Sequence, residues 1–463
     1  MSEGLYKSSQ VLRDEFFKIQ SRDDVAELLE LSTKQLNFHL YVLSPEKKYK
    51  VFTVPKKSGG TRQISAPASP IKIIQRKLKQ VLETVYNPKP ATHGFVTGRS
   101  IVSNARLHKK RRYVLNIDLE NYFPTIHFGR VRGMFMGNPY HLDDEVATIL
   151  AQICCHEGVL PQGAPTSPII SNMICARLDA KLQQLAKEHQ CTYSRYADDI
   201  TFSTNRSRFP SALAHLSNIG QVEIGDELSS VIQDNGFQVN LKKTRLQVRQ
   251  QRQEVTGLTV NRYPNVQRRY MKQVRAMLYA WTKFGLDSTK QRYFEKYANP
   301  KYSDPQQYRP PFQKIVLGKI EFIGMVKGKT NPVYLDLLKK FSYLAPLYVK
   351  SERFSNLPFT KPYIYTEGKT DRKHIETALK HLKSQGLFRN LELEFRKSDD
   401  AEGDKLLQRL EFTQEQLEHH VFPHIFIFDR DKPKIVEKIR GNDDYTVWKN
   451  NVYSFVIPMC RPS

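Results

Sequence analysis

Three carboxylates in this sequence stand where carboxylates are costly. Asp118 closes the apolar run Val114-Leu115-Asn116-Ile117, and Asp198-Asp199 interrupt a second strand-like run, SRYADDITFST, 80 residues later. An acid at or inside a buried strand is unfavourable unless it is paired or bound to a cation. Three such acids invite a cation pair. Two Mg²⁺ ions about 3.5 to 4 Å apart can activate an attacking oxygen and stabilise a leaving one in an in-line phosphoryl transfer. A lone Asp-Asp pair would read as an Asp-rich hairpin turn, so the weight of the reading rests on the surrounding blocks.

The elements that must position these acids are legible as patterns. Residues 10 to 42 read as two short helices, with Ser21 and Asp23-Asp24 at the start of the second and LSTKQLNFHLYVL as its continuation or a third. KYKVFTVPKKSGGTRQISAP alternates in strand fashion on both sides of Ser58-Gly59-Gly60, a hairpin signal flanked by Lys56, Lys57 and Arg62. PIKIIQRKLKQVLETVY follows with helical periodicity. A helical SPIISNMICARLDAKLQQLAKEH separates the two acid-bearing strands. A turn around Pro305 to Pro311 interrupts the later basic region, and SERFSNLPFTKP reads as a linker.

The charge balance names the kind of partner. With 72 Lys+Arg against 47 Asp+Glu the 463-residue chain carries a formal +25. Residues 361 to 463 are nearly neutral at +1, which leaves +24 for residues 1 to 360. Residues 261 to 360 alone hold 19 Lys+Arg, 6 Asp+Glu and 18 aromatics, among them Tyr263, Tyr270, Trp281, Phe284, Tyr293 and Phe294. Lys and Arg neutralise phosphates while aromatic faces stack on bases, so this mixture suits a nucleic-acid strand or hybrid lying along helices. No apolar run reaches the roughly 18 residues of a membrane span, and the N-terminal segment lacks the pattern of a secretory signal. Five Cys make no CxxC pair and no even framework, which fits a reducing cytosol, so a cytoplasmic location with no membrane partner is expected.

Tyr196-Ala197-Asp198-Asp199 resembles the YxDD signature of reverse transcriptases, and the family's other blocks occur in its order. The hairpin with Arg62 resembles the fingers block, NIDLENYF the first carboxylate block, and GVLPQGAPTSP the block that holds template-primer and nucleotide. GFQVNLKKTR and VTGLTV resemble the two blocks that follow. The resemblance implies an α+β right-hand polymerase, with an N-terminal helical segment at 1–50, fingers and palm at 51–260 and a basic, RNA-binding helical thumb at 261–350. By carry-over, Asp118 and Asp198 hold two catalytic Mg²⁺ ions and Asp199 is the third acid. Phe123 matches the steric gate that excludes a nucleotide 2′-OH and so selects dNTPs. Gln162 matches the residue contacting the incoming nucleotide, Gly163 permits close backbone approach, and Arg62 clamps the triphosphate with its planar fork. Lys243 is the candidate proton donor to pyrophosphate, a role adjacent Lys242 could take instead.

Two further motifs narrow the family. Asn104-Ala105-Arg106-Leu107-His108 resembles the NAxxH motif of bacterial retron reverse transcriptases, and Val255-Thr256-Gly257 their VTG triplet. On a helix Asn104 and His108 share a face, where an amide and an imidazole could read RNA edges or hydroxyls. The resemblance implies a structured cognate noncoding RNA as partner. It also implies priming from the 2′-OH of one guanosine and a branched RNA–DNA product (msDNA). A group II intron-like reverse transcriptase is the nearest alternative, although no Cys/His cluster of the HNH kind follows the thumb. A homo-oligomer is left open.

After a linker at 351–362, residues 363–463 carry a second acid pattern. TyrIleTyrThr ends in Glu367-Gly368, and HIFIF ends in Asp429-Arg430-Asp431. In an open α/β sheet, acids at the carboxyl ends of strands point into the ligand crevice. The pair of motifs resembles a TOPRIM domain, which implies an α/β TOPRIM-like fold with Glu367 as acid/base and Asp429 and Asp431 joining it around one or two Mg²⁺. The domain reads as short and incomplete. A retron reverse transcriptase fused to a TOPRIM nuclease would fit an antiphage toxin–antitoxin arrangement, whereas a different class of role is a nucleoprotein scaffold that cages the C-terminal effector.

Overall fold

The computed structural model describes residues 4–56, 59–217, 220–297, 310–345, 362–385, 387, 393–396, 403–415, 423–439, 445–449 and 451–457. The expected linker up to Lys361, the hairpin-tip residues Lys57 and Ser58, and most of the turn before Pro311 lie outside the described residues. The chain divides into two compact units, Met1–Gln267 and Arg268–Ser463.

In the first unit, α1 (Ser9–Phe16), α2 (Arg22–Leu28) and α3 (Thr33–Asn37) lead into a π-helical turn at Phe38–Val42 and the single turn α4 (Pro45–Lys48). Ser21 caps α2 through a reciprocal pair, its hydroxyl accepting from the Asp24 amide while the Asp24 carboxylate accepts from the Ser21 amide. These helices pack on the long helix that follows. Leu12, Phe16, Val25 and Leu29 are buried in one core with Leu78, Val81 and Leu82 of the long helix α5 (Ser69–Val85), because the lead-in is amphipathic and has nothing else to cover its apolar face. Between them, β1 (Tyr49–Pro55) and β2 (Thr61–Pro67) form the antiparallel hairpin expected around the glycine pair.

The palm sheet is assembled from distant segments. α6 (Ile101–Leu107) precedes β3 (Tyr113–Asp118), and α7 (Phe128–Met136), α8 (Asp144–Cys154), α9 (Ser167–Ile174) and α10 (Ala176–Glu188) separate it from β4 (Thr192–Tyr196) and β5 (Asp199–Thr204). The segment read as one helix is two, broken at Cys175. A short hairpin, β6 (Ala214–Leu216) with β7 (Val222–Ile224), and α11 (Asp226–Asp234) lead to β8 (Arg245–Val248). The sheet order is β4-β5-β3-β8 with every pair antiparallel. Val114, Leu115 and Ile117 of β3 and Ile200 and Phe202 of β5 are buried, so the register is fixed by both faces of the sheet. The unit closes on the small hairpin β9 (Glu254–Val255) and β10 (Leu258–Thr259).

The second unit contains a helical part followed by a sheet. α12 (Arg268–Phe284), α13 (Leu286–Tyr297), α14 (Phe312–Lys327) and α15 (Pro332–Leu344) are organised around Trp281, whose ring meets Phe312 and Phe341 edge-on at 5.7 and 5.9 Å. Burial, and then the neighbouring Tyr363, raise the pKa of Tyr343.

The sheet runs β12 (Glu394–Phe395), β11 (Tyr363–Thr366), β13 (His424–Phe428), β15 (Val452–Val456), β14 (Tyr445–Val447), all neighbours parallel except the last pair. Helices α16 (Lys369–Ser384), α17 (Gly403–Glu415) and α18 (Pro433–Ile439) connect the strands. This is an open α/β sheet whose chain order reverses between β11 and β13. Among the described residues no helix is long and apolar enough to cross a membrane.

One close helix contact yields a test. A Cβ built on Gly324 of α14 would lie 2.5 Å from the Tyr334 ring of α15. Gly324→Ala should therefore destabilise this unit by about 1–3 kcal/mol through overpacking. Both tryptophans, Trp281 and Trp448, belong to it, so denaturant unfolding followed by tryptophan fluorescence reads the change directly.

Candidate active site

β3 and β5 pair with Asp118 opposite Asp199, and β4 pairs with β5 so that Tyr196 faces Asp199. Ala197 and Asp198 are thus the two-residue tip of a hairpin, and the Asp198 carbonyl accepts a hydrogen bond from the Leu119 amide at 3.0 Å. Three acids are brought to one end of the sheet. Burial and the Asp118 charge raise the pKa of Asp198, against the backbone hydrogen bond and the charges of Lys243 and Arg62. Burial, then the charges of Asp198 and Asp118, push Asp199 up to about 7. The Asp199 residue is nonetheless open to solvent at the end of the sheet.

Lys243 follows β3 in space. The Asn240 amide donates to the Asp118 carbonyl, which anchors the short turn Leu241–Lys243 beside that strand. The Lys243 ammonium then spans both Asp118 oxygens at 2.8 and 2.9 Å. It is Lys243 that reaches the acids, and with its side chain about half exposed it remains displaceable. A cavity of about 270 Å³ opens here, lined by Asn116, Asp118, Asp199, Thr201, Lys243 and Arg245.

The nucleotide-side residues lie in the same unit. Arg62 is exposed on β2, close enough for its charge to lower the pKa of Asp198. The Gln162 carbonyl accepts from the Ser65 amide of β2 at 2.9 Å. Gly163 has φ +126°, and a Cβ there would lie 3.0 Å from the Ser65 carbonyl oxygen. The close approach that Gly163 permits is therefore to the fingers hairpin. Phe123 is half-buried, edge-on to Tyr122 at 5.2 Å and 6.4 Å from the exposed ring of Phe95. Phe95 is absent from the residues singled out in the sequence; its φ of +59°, unusual for a bulky residue, appears only in the backbone.

The two narrowing motifs behave differently from expectation. Asn104 and His108 are fully buried and cannot read an RNA edge from where they stand. The Ser194 hydroxyl donates to the Asn104 carbonyl oxygen at 2.6 Å, while His108 bonds Ser203 through Nδ1 and Ser194 through Nε2, each at 2.7 Å. Burial, then the charges of Arg111 and His93, lower the pKa of His108 to about 3, so it is a neutral brace behind β4 and β5. Val255 is buried too. Thr256 and Gly257, with φ of +46° and +80°, form the tip of the β9–β10 hairpin in the geometry of a type I′ turn. The Thr256 hydroxyl donates to the Ile101 carbonyl, so the VTG turn sits on the helix that carries Asn104, and Thr256 and Gly257 border the catalytic cavity.

Sequence reasoning also missed Arg195 and Asp179, an ion pair with both side chains fully buried directly behind the Ala197-Asp198 tip. In the second unit, Trp281 is core rather than a stacking platform. The exposed line of α12 is Arg268, Lys272, Arg275, Tyr279 and Lys283, spaced three or four apart on one face.

A second acid group lies in the second unit. Glu367 follows β11 and Asp429 follows β13, the neighbouring strands at the point of reversal, and the Asp429 amide donates to Glu367 Oε1 at 3.0 Å. Burial and the charges of Asp431 and Asp429 raise the pKa of Glu367, opposed by that hydrogen bond and by Lys432. Burial, then Asp371 and Asp431, raise that of Asp429. Asp371, in the first turn of α16, is a fourth acid of this crevice. A Cβ on Gly403 would lie 2.9 Å from Glu367 Oε2, so α17 begins against the same carboxylate.

The donor chemistry fits a hard divalent cation at the palm. All three donors are carboxylates, and the chain's own ammonium is seated on one of them. Among the described residues no group of three or more His, Cys, Asp or Glu is arranged to hold a metal ion by itself. Mg²⁺ is commonly held by one or two carboxylates together with substrate phosphates, so an open acid set is the appropriate one.

This sheet, with its acids on antiparallel strands and its glycine loop against a hairpin, has the architecture of the reverse transcriptase class. Residues 54–260 match the family model described as reverse transcriptase (RNA-dependent DNA polymerase). The chain is 37% identical over 279 residues to the retron Mx65 reverse transcriptase of Myxococcus xanthus, covering 56% of this chain and 62% of that protein. It is 35% identical to the retron Mx162 reverse transcriptase of the same organism, covering 53% and 54%. Against the retron Ec86 reverse transcriptase of Escherichia coli it is 31% identical, covering 55% of this chain and 76% of that protein. The chain belongs to the retron reverse transcriptase family. Its matches span between about half and two thirds of the length of the Myxococcus relatives.

The crowding of the acids predicts a pH dependence. With its pKa raised to about 7, Asp199 holds a proton below that pH, and cation binding must displace it. The Mg²⁺ concentration for half-maximal DNA synthesis should rise as pH falls from 8 to 6, by up to roughly tenfold per unit below 7 for one proton. A pH-independent half-saturation would contradict the coupling.

Proposed function

We propose that this protein is an RNA-directed DNA polymerase that copies a cognate structured noncoding RNA into a branched RNA-linked cDNA. The observation that carries the reading is the register that sets Asp118 opposite Asp199 with Asp198 at the adjoining hairpin tip. Asp118 and Asp198 would hold Mg²⁺, with Asp199 beside them. Bound Mg²⁺ would supply Lewis-acid activation of the attacking hydroxyl and neutralise charge developing on pyrophosphate. Arg62 would bind the triphosphate and Gln162 would contact the nucleotide. Lys243, released from Asp118, would be free to protonate the leaving pyrophosphate. The Phe123 ring would exclude a 2′-OH. The basic, Tyr-bearing face of α12 suits the phosphates and bases of an RNA or hybrid.

Priming from a guanosine 2′-OH comes with the family rather than from any distance here. Asp198→Asn with Asp199→Asn should abolish cDNA synthesis while RNA binding persists; residual synthesis by that variant would overturn the site. Replacing Phe123 by Ala should raise ribonucleotide incorporation, measured as rNTP-dependent primer extension, and unchanged discrimination would remove Phe123 from the gate.

For the crevice of the second unit we infer a TOPRIM-like, Mg²⁺-dependent nuclease site. It is supported by acids at the carboxyl ends of adjacent parallel strands where the sheet order reverses. Glu367 is the acid/base, and Asp429 and Asp431 are cation ligands with it. Such an activity, restrained by the bound msDNA, would serve as the effector of an antiphage system. Glu367→Ala should remove nuclease activity and leave cDNA synthesis at the parent rate. Nucleic-acid degradation unchanged by the substitution would count against the assignment.

A further inference from the structure

We propose that Arg195 is a positioning residue for the polymerase site. Its buried guanidinium, aligned by Asp179, fixes the Ala197 carbonyl and thereby the direction in which Asp198 is presented. The proposal rests on the polymerase reading above.

The geometry is a fork with every prong used. Arg195 Nε and Nη2 donate to the two Asp179 oxygens at 2.7 Å each. Nη1 donates to the Ala197 carbonyl at 3.0 Å, the Tyr122 hydroxyl at 3.1 Å and Asn172 Oδ1 at 3.2 Å. The Tyr193 and Thr92 hydroxyls donate to Asp179 at 2.6 and 2.8 Å. Burial pushes the Asp179 carboxyl up, but the Arg195 charge and these hydrogen bonds outweigh it and hold it below its ordinary value.

The tip this fork holds is one that would not hold itself. Ala197 has φ +57°, at the first central position of a two-residue hairpin, where glycine is the usual occupant. A left-handed L-residue costs roughly 1–2 kcal/mol and persists when its surroundings over-determine it. Gly94 supplies the other wall. A Cβ on it would lie 2.3 Å from the Ala197 nitrogen, and its carbonyl accepts from Asn172 Nδ2 at 2.8 Å. The same guanidinium therefore ties the acid tip to Asn172 behind the glycine loop and to Tyr122, the neighbour of Phe123.

Stability alone does not account for the pair. Replacing both members of a buried ion pair by apolar residues of similar volume is often neutral or stabilising, whereas removing one member costs about 3–5 kcal/mol. What an apolar pair cannot supply is a directed donor to the Ala197 carbonyl.

The test uses the full chain carrying Arg195→Met with Asp179→Leu, and separately Arg195→Lys. Four quantities are read: the thermal midpoint, Mn²⁺ binding to the protein without nucleotide, kcat, and KM for dNTP on a primed RNA template. The double variant should stay folded but melt below the parent, because the Tyr122, Tyr193 and Thr92 hydroxyls, Asn172 Oδ1 and the Ala197 carbonyl lose buried partners. Its Mn²⁺ half-saturation should rise and its kcat fall, each about 10–100-fold, as when groups that orient metal ligands are removed, with KM for dNTP little changed. Arg195→Lys, which keeps one charge but loses the fork, should show the same split to a smaller degree. Parent-level Mn²⁺ affinity and kcat in the folded double variant would overturn the proposal, and the same result in Arg195→Lys would do so if the double variant fails to fold. A parent protein that makes no DNA would instead overturn the polymerase reading, while the Mn²⁺ titration would still decide the positioning role.

Discussion

Three carboxylates that repel one another are held at the end of one sheet, and the first unit is organised around tolerating that repulsion. The β3–β5 register forces Asp118 and Asp199 together, and the hairpin tip adds Asp198. On the solvent side the Lys243 ammonium spans Asp118. On the protein side the Arg195 guanidinium is neutralised by Asp179, so its contribution behind the tip is a directed hydrogen bond to Ala197 more than a free positive charge. One cation is displaceable and the other is locked in the core. That division suits a site that must exchange a cation and a triphosphate while keeping its acids in a fixed geometry.

Much of this was legible in the sequence because the residues of the mouth have distinctive types at distinctive spacings. Acids ending apolar runs, a Pro-Gln-Gly loop and a glycine-tipped hairpin each announce themselves, and the structure brings Asp118, Asp198, Asp199, Lys243 and Arg62 within one another's influence. What was not legible is the layer behind. Arg195 sits in the same strand as the YADD tip yet reads as one more basic residue in a basic chain, since nothing in its spacing reveals that a helix 16 residues earlier supplies its partner. Asn104 and His108 were read outward, toward RNA, because a polar pair four apart on a helix looks like a surface face. The serines of β4 and β5 that receive them carry no motif, so their burial emerges only from the fold.

The charge that first suggested a polyanion resolves into separate uses. Helix α12 turns Val274, Met277, Leu278 and Trp281 inward and leaves Arg268, Lys272, Arg275, Tyr279 and Lys283 on its outer face. Residues 361–463 are nearly neutral overall. Their acids instead gather at the ends of β11 and β13, where Glu367 and Asp429 are joined through one backbone hydrogen bond.

The central claim is that the acids opposite one another on β3 and β5 are the cation-binding, DNA-synthesising centre. The most direct measurement is a crystal structure of the protein with Mn²⁺, primed RNA and a non-hydrolysable dNTP, with the metal located by anomalous scattering. Mn²⁺ should be liganded by Asp118 and Asp198, with the Lys243 ammonium moved from Asp118 to the phosphates and the Ala197 carbonyl still on Arg195. Anomalous density away from these carboxylates, or Lys243 remaining on Asp118 with nucleotide bound, would contradict that claim.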